Sequence, residues 1–355
     1  MGERVAVVGA TGYTGGLVTQ ELLGRGVEVV AVGRSQAKLE ALPAGVERHL
    51  ADIADRVALA WAIDGCRAVV NCVGSFVDLG EAVVEAAIAA AVPYVDSTGE
   101  FPFLRRVFEV HDAPARKAGV AVVPGMAFYS APADLAAALA ARALGRLPET
   151  VEIGYRLVGA RPSKGTLRTN LRRAGQPCEV WENGRLVSRR TGDDPRDFRF
   201  PEPYGATTVA RWPGAEVLGV PRHTGARSVA VYVAMPKAAT AVFRSPRLTV
   251  LLQPVGRALV GKGTGGPSDE ARTRARYVVV AEARAGNDAT RCVVEGHDMY
   301  GVTAATCAEA ALRLTAPGLT AAGEPRTGAL APAEAFEPDD FLNALAGYLT
   351  WRIEQ

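Results

Sequence analysis

The segment Gly9-Ala-Thr-Gly12-Tyr-Thr-Gly15 follows an apolar run at residues 5–8 and opens a helical pattern at 15–23. A strand that turns at once into a helix needs a glycine for the tight reversal, here Gly9. Gly12 lets backbone N–H groups approach a phosphate at the helix N-terminus, and Gly15 lets the helix pack closely on the strand. Thr11 and Thr14 bring hydroxyl donors, with Tyr13 between them. The spacing is GxxGxxG rather than GxGxxG. The strand before it, the helix after it and a second strand at the usual interval are the context a dinucleotide site requires. The expected phosphate-binding residues are therefore Gly9, Thr11, Gly12, Tyr13, Thr14 and Gly15.

Short apolar runs at 5–8, 28–32, 68–72, 94–96 and 120–123 alternate with helical patterns at 15–23, 35–42, 54–63, 80–91 and 103–118. This β-α order with short connections predicts a doubly wound parallel sheet of Rossmann type. Another helix is predicted at 133–144, with Pro132 as start signal and Gly145 as stop. Past Pro148 the texture changes. Residues 151–158 alternate apolar and polar, and 179–190 carry a hairpin turn at Glu182-Asn-Gly184. Further strands are predicted at 228–235, 276–285 and 289–295, the last two joined across Gly286-Asn-Asp288. Residues 195–221 read as a long ordered loop, 261–267 as a flexible turn and 303–315 as an Ala-rich helix. The expected class is α/β: an N-terminal Rossmann sheet plus a second α+β domain with a mainly antiparallel sheet.

Forty basic and thirty-eight acidic side chains leave a formal charge of +2. That balance excludes a nucleic-acid binder that works by phosphate neutralisation. The five cysteines are widely spaced with no CxxC, which argues against a disulfide framework or zinc site and for a reducing compartment. The first strand starts at residue 4 and leaves no room for a signal peptide, so a cytoplasmic location is expected. Apolar stretches at 122–144 and 248–260 are interrupted by Pro, Asp134, Arg142 or Arg257, and neither predicts a transmembrane segment. There is no HExxH, no GxSxG, and no Tyr followed by Lys four positions later. No metal is expected.

The second strand ends in Gly33-Arg34-Ser35, and its acidic residue, Glu28, stands at the wrong end to accept from a ribose 2′-hydroxyl. A guanidinium at Arg34 suits a 2′-phosphate, with Ser35 beside it and Lys38 one helical turn on. NADP(H) is therefore the expected cofactor. Asp52 either touches the adenine or caps a helix from Ala54. Asn71, Val73 and Gly74 close the fourth strand, where small residues let backbone pass near the nicotinamide ribose. The expected domains are 1–130 for NADP binding, 131–300 as substrate or lid domain, and 301–355 as a helix and tail packing back on the first.

Together these residues resemble the saccharopine dehydrogenase-like oxidoreductases, which include trans-acting enoyl reductases. Tyr94-Val-Asp-Ser-Thr-Gly-Glu100 is similar to that family's YVDLTGE stretch, and Pro124-Gly-Met-Ala-Phe-Tyr-Ser-Ala-Pro-Ala-Asp-Leu135 to its GFDSxPSDL segment. Gly165-Thr-Leu-Arg-Thr169, Gly265-Gly-Pro-Ser268, Gly296-His-Asp-Met-Tyr-Gly-Val-Thr303 and Gly328-Ala-Leu-Ala-Pro-Ala333 resemble further family elements. The resemblance implies a Rossmann domain, a second α/β domain, and reduction of a C=C or C=N bond with NADPH. The chain departs from the family at Met126-Ala127 and at Tyr129, where the family often carries the Asp of FDS.

Hydride transfer needs a held substrate and a proton source. Tyr129 follows the fifth predicted strand and carries a phenolic proton, or else packs at a domain junction. Asp96 and Glu100 flank a strand end as acids or as capping groups. Arg168, with Lys164, suits an anionic substrate group, and His297 beside Asp298 reads as a solvated turn. The expected function is NADPH-dependent reduction of a small biosynthetic molecule, of lipid, polyketide or imine type. The alternative is a non-catalytic NADP(H)-binding sensor or scaffold. The expected partner is a small-molecule substrate rather than nucleic acid, and a homodimer is the assembly to test.

Overall fold

The computed structural model describes residues 3–173, 176–235, 240, 245, 265–316, 318–319 and 323–355. The apolar stretch at 248–260 and the first residues of the turn at 261–267 lie outside the described residues. The chain divides into two compact units, Met1–Ala131 with Tyr300–Leu345, and Pro132–Met299 with Ala346–Gln355.

The first unit is built on β1 (Arg4–Val8), β2 (Glu28–Gly33), β3 (Glu47–Leu50), β4 (Ala68–Asn71), β5 (Tyr94–Asp96) and β6 (Ala121–Val123). Val-rich runs dominate β1, β2, β4 and β6, and they are buried on both faces. That is the pattern of a parallel sheet covered by helices on either side. All pairings are parallel, in the order β3-β2-β1-β4-β5-β6. The strand β3 is not among the five apolar runs of the sequence. Its sequence Glu-Arg-His-Leu lies on the sheet edge and is largely exposed, so it carries no apolar run to read.

Helices Tyr13–Gly24, Gln36–Glu40, Arg56–Ile63 and Phe76–Ala89 join these strands. The predicted helix at 103–118 is interrupted: Phe101–Arg106 passes through a π-helical turn, Val107–His111, into Asp112–Ala118. Helix Phe76–Ala89 starts a turn earlier than its pattern suggested. Gly80 lies inside it because a Cβ there would stand 2.5 Å from the Phe103 ring.

The second unit holds β7 (Thr150–Val158), β8 (Pro177–Glu182), β9 (Arg185–Arg190), β10 (Arg196–Arg199), β11 (Ala206–Arg211), β12 (Ser228–Ala234), β13 (Arg276–Ala285) and β14 (Asp288–His297). Two further strands follow: β15 (Gly328–Ala329) pairs with β6 in the first sheet, and β16 (Leu349–Glu354) pairs with β14 in the second. The second sheet runs β10-β11-β12-β7-β13-β14-β16, with β8 on β12 and β9 on β8. Within this second sheet only β7 and β12 pair in parallel among the described strands. The β8–β9 hairpin turns at Asn183 (φ 50°) and Gly184 (φ 79°), the left-handed pair that a two-residue hairpin favours.

The loop expected at 195–221 is instead β10, β11 and the start of helix Glu216–Thr224. Charged residues on these strands conceal them in the sequence. Arg196 and Arg211 both reach Asp194, and both guanidiniums lie over the Tyr232 ring. Phe198 and Phe200 of this stretch complete a core with Val209, Tyr232, Val278, Val280 and Val293. Each of the two phenylalanines contributes about 1.5–3 kcal/mol by burial.

Candidate functional site

The turn after β1 is tied to β2. Gly9 N–H and Ala10 N–H both donate to the Val32 carbonyl, at 2.9 and 3.3 Å, and Gly12 N–H donates to Gly9 O at 2.9 Å. Gly9 has φ +85°, and a Cβ there would press on Cys72 and Val73 at 3.1 Å. A Cβ on Gly15 would lie 2.2 Å from Gly9 O and 2.8 Å from Gly9 C, both backbone atoms of the turn. The helix thus packs on the turn at a distance only glycine permits. Its N-cap is Gly12 and no acidic side chain stands in its first turn. Backbone donors and the positive end of the helix dipole fit a pyrophosphate there, with Thr11 and Thr14 half-buried beside them.

Gly33 lies against Thr11, where a Cβ would meet the Thr11 methyl at 3.3 Å. This brings the end of β2 alongside the phosphate turn. Arg34 and Lys38 are exposed and make no ion pair among the described residues, and Ser35 is half-buried as N-cap of Gln36–Glu40. Asp52 does not cap the next helix. It accepts from Ala54 N–H at 3.0 Å, while Asp55 is the N-cap, accepting from Val57 and Ala58.

The carboxyl ends of β4, β5 and β6 are joined by one buried network. Asn71 Nδ2 donates to Tyr94 Oη at 3.0 Å, and Tyr94 O–H donates to Asp96 Oδ2 at 2.9 Å. Asp96 Oδ1 accepts from Thr98 N–H and Gly125 N–H, each at 2.9 Å, and the Asp96 carbonyl accepts from Met126 N–H at 2.7 Å. Asn71 Oδ1 also holds Val73 N–H at 3.0 Å, upstream of exposed Gly74. Asn71, Tyr94 and Asp96 are fully buried. The segments 71–75, 96–100 and 124–130 therefore meet at one sheet edge, where folds of this class bind ligands.

Burial raises the Asp96 carboxyl to about 6, against the hydrogen bonds of Gly125, Thr98 and Tyr94 that favour its charged form. An unfolded aspartate titrates near 3.9. Between those values the folded protein binds more protons than the unfolded one, so this group's contribution to stability falls as pH rises from about 4 to about 6. The expected size is about 3 kcal/mol. Denaturant unfolding of wild type and Asp96→Asn across that range checks it: wild type should lose stability relative to the non-titrating Asn variant as pH rises from about 4 to about 6. Parallel curves would refute the assignment.

Glu100 is buried, and its Oε2 accepts from Val77 N–H at 3.0 Å in the first turn of Phe76–Ala89. That is a capping arrangement, favoured by the helix dipole. Tyr129 is half-buried, with its ring 4.9 Å from Phe128. Phe128 N–H donates to Thr303 Oγ1 at 3.0 Å. Arg168 and Lys164 are half-buried on helix Lys164–Arg173 of the second unit. The His297 ring stacks with Tyr348 at 6.4 Å. The Cys72 thiol is pushed up to about 12 by burial, which removes it as a thiolate nucleophile at neutral pH.

Sequence reasoning missed Thr303 because its bond to Phe128 joins segments 175 residues apart. It also missed the buried Asp134–His223 contact of 3.1 Å, which ties helix Ala131–Leu144 to Glu216–Thr224. Among the described residues no cluster of His, Cys, Asp and Glu could hold a metal ion.

Residues 9–95 match a family model described as NAD(P)H-binding. The chain is 31% identical over 146 residues to a "Lipid droplet localized protein" of Caenorhabditis elegans, covering 37% of this chain and 34% of that protein. It is 30% identical over 154 residues to a "Saccharopine dehydrogenase-like oxidoreductase" of Homo sapiens, covering 37% and 36%. The matches span about a third of the length of these curated relatives. A solved saccharopine dehydrogenase (L-Glu forming) from Saccharomyces cerevisiae superposes with a TM-score of 0.63 at 14% identity, covering both chains fully. The chain is thus similar to a saccharopine dehydrogenase-like oxidoreductase over 37% of its length, and it shares the fold of saccharopine dehydrogenase.

Proposed function

We propose that this chain is an NADP(H)-dependent oxidoreductase that reduces a C=C or C=N bond of a small biosynthetic molecule. The observation that carries this reading is the glycine cradle at residues 9–15 with Arg34 exposed at the end of the adjoining strand. The family-model match over 9–95 supports the nicotinamide cofactor, which when bound supplies the hydride.

In this reading Gly9, Thr11, Gly12, Tyr13, Thr14 and Gly15 hold the pyrophosphate. Arg34, Ser35 and Lys38 hold the 2′-phosphate, Asp52 lies by the adenine, and Asn71, Val73 and Gly74 line the nicotinamide ribose. Asp96 and Glu100 act by fixing the strand ends, since their hydrogen bonds to backbone already occupy them. Tyr129 gives the proton and Arg168 anchors an anionic substrate group. Among the described residues no helix is long and apolar enough to cross a membrane. The five free cysteines suit a reducing compartment, and the cytoplasm is the proposed location.

The test pairs binding with turnover. Fluorescence titration should give tighter binding of NADPH than NADH. Arg34→Ala should weaken NADPH about 10- to 100-fold and leave NADH nearly unchanged, the loss of a charge-assisted phosphate contact. An Arg34→Ala protein that keeps its preference would overturn the NADP assignment. Oxidation of NADPH with activated alkenes or cyclic imines tests catalysis, and binding without turnover of either class would favour the sensor alternative.

A further inference from the structure

We propose that Tyr300 is a cofactor-positioning residue that acts through Tyr13, so that the dinucleotide site is completed by helix Met299–Leu314 near the end of the chain. The proposal rests on the dinucleotide reading above and adds a residue far beyond the matched stretch 9–95.

Tyr13 is the first residue of the helix that receives the pyrophosphate, and its N-cap neighbour Gly12 brings no side chain to clasp the turn. The Tyr13 ring meets the Tyr300 ring at 5.0 Å, at an interplanar angle of 84°. This edge-to-face pairing favours one orientation of each ring. Tyr300 is in turn held by a helix fixed at several points. Thr303, one turn on, accepts from Phe128 N–H at 3.0 Å, and Cys307 Sγ donates to Met126 O at 3.0 Å. Glu309 pairs with Arg25 at 2.6 Å, just past the end of the helix that Tyr13 begins. Tyr300 touches the start of Tyr13–Gly24 and Glu309 its end, so the two helices run side by side in the same direction.

The buried face of Met299–Leu314 is made of small residues, Gly301, Ala304, Ala305, Ala308 and Ala311 among them, which permit close packing. One helix therefore braces both the phosphate turn, through Tyr300, and the strand-end segment 124–130, through Thr303 and Cys307. Tyr300 sets the position of Tyr13, and with it the first backbone donors of the phosphate cradle.

The experiment uses the full chain and measures dissociation constants for NADPH and NADH in wild type, Tyr300→Leu and Tyr300→Phe, with the Tm of each protein without cofactor. Tyr300→Leu should weaken both cofactors about 3- to 10-fold, since an aromatic pair is worth that much in an equilibrium. The two losses should be equal, because Tyr13 lies at the shared pyrophosphate and not at the 2′-phosphate. Tyr300→Phe keeps the ring and should bind like wild type. A Leu variant with lowered Tm and unchanged dissociation constants would show a merely structural helix contact and overturn the proposal. A Phe variant as weak as Leu would also overturn it, by assigning the effect to the hydroxyl. Wild type that binds neither cofactor removes the dinucleotide reading along with this one, whereas unchanged binding in Tyr300→Leu removes this one alone.

Discussion

Gly15→Ala is expected to lower dinucleotide affinity by more than about 100-fold, while Gly16→Ala, one residue on, leaves it intact. The contrast follows from what each new methyl meets. At Gly15 it would lie 2.2 Å from Gly9 O, 2.8 Å from Gly9 C and 3.0 Å from Ala10 Cα. None of these is the end of a flexible side chain. Either the helix or the turn must move, and the turn is pinned by two N–H donors to Val32 O. Moving the helix start carries its N–H groups away from the phosphate. At Gly16 the nearest atom is Ala10 O at 3.7 Å, an ordinary contact. Alanine also favours a helix interior over glycine by about 1 kcal/mol, so Gly16→Ala should be neutral or stabilising. Cofactor fluorescence and thermal unfolding of both variants check the pair. Retained binding in Gly15→Ala would remove the cradle from the proposed site.

Why this cradle was legible is a matter of locality. The turn, its three glycines and the strand before it lie within a dozen residues of sequence, so their spacing encodes their geometry. The β8–β9 hairpin was legible for the same reason, through Asn183-Gly184. Buried parallel strands announce themselves by Val runs, as in β1 and β2. The strand β3 does not, because an edge strand with Glu47, Arg48 and His49 has no apolar run. Residues 195–221 hid two strands in the same way, since Arg196 and Arg211 are charges satisfied by Asp194 rather than signs of a loop. The network at the sheet edge was least legible. Tyr94-Val-Asp96 could be marked as important, but its partners Asn71 and Gly125 stand 23 and 29 residues away from Tyr94 and Asp96. Only folding reveals that Asp96 accepts backbone N–H groups from two of those segments and is thereby committed to holding them.

That commitment sharpens the expected outcome of Tyr129→Phe, a fall in kcat of about 100-fold or more with NADPH affinity unchanged. The nearby alternatives are engaged otherwise. Both Asp96 oxygens accept hydrogen bonds in a fully buried site, Glu100 Oε2 caps a helix, and burial keeps the Cys72 thiol protonated. Tyr129 is half-buried and follows β6 in a segment whose backbone is anchored at Gly125, Met126 and Phe128. An anchored backbone beside a sheet's carboxyl edge is what a proton donor needs in order to stay in place through turnover. The family resemblance does not supply this residue, since the family often carries an aspartate there; the argument rests on position and on the phenolic proton. Phenylalanine keeps the ring against Phe128 at 4.9 Å, so the fold and the phosphate cradle should survive and the measurement should report the lost O–H alone. Steady-state turnover with an accepted alkene or imine, read beside the NADPH dissociation constant, decides it. Near-normal kcat in Tyr129→Phe would take the phenol out of the reaction and leave solvent as the proton source.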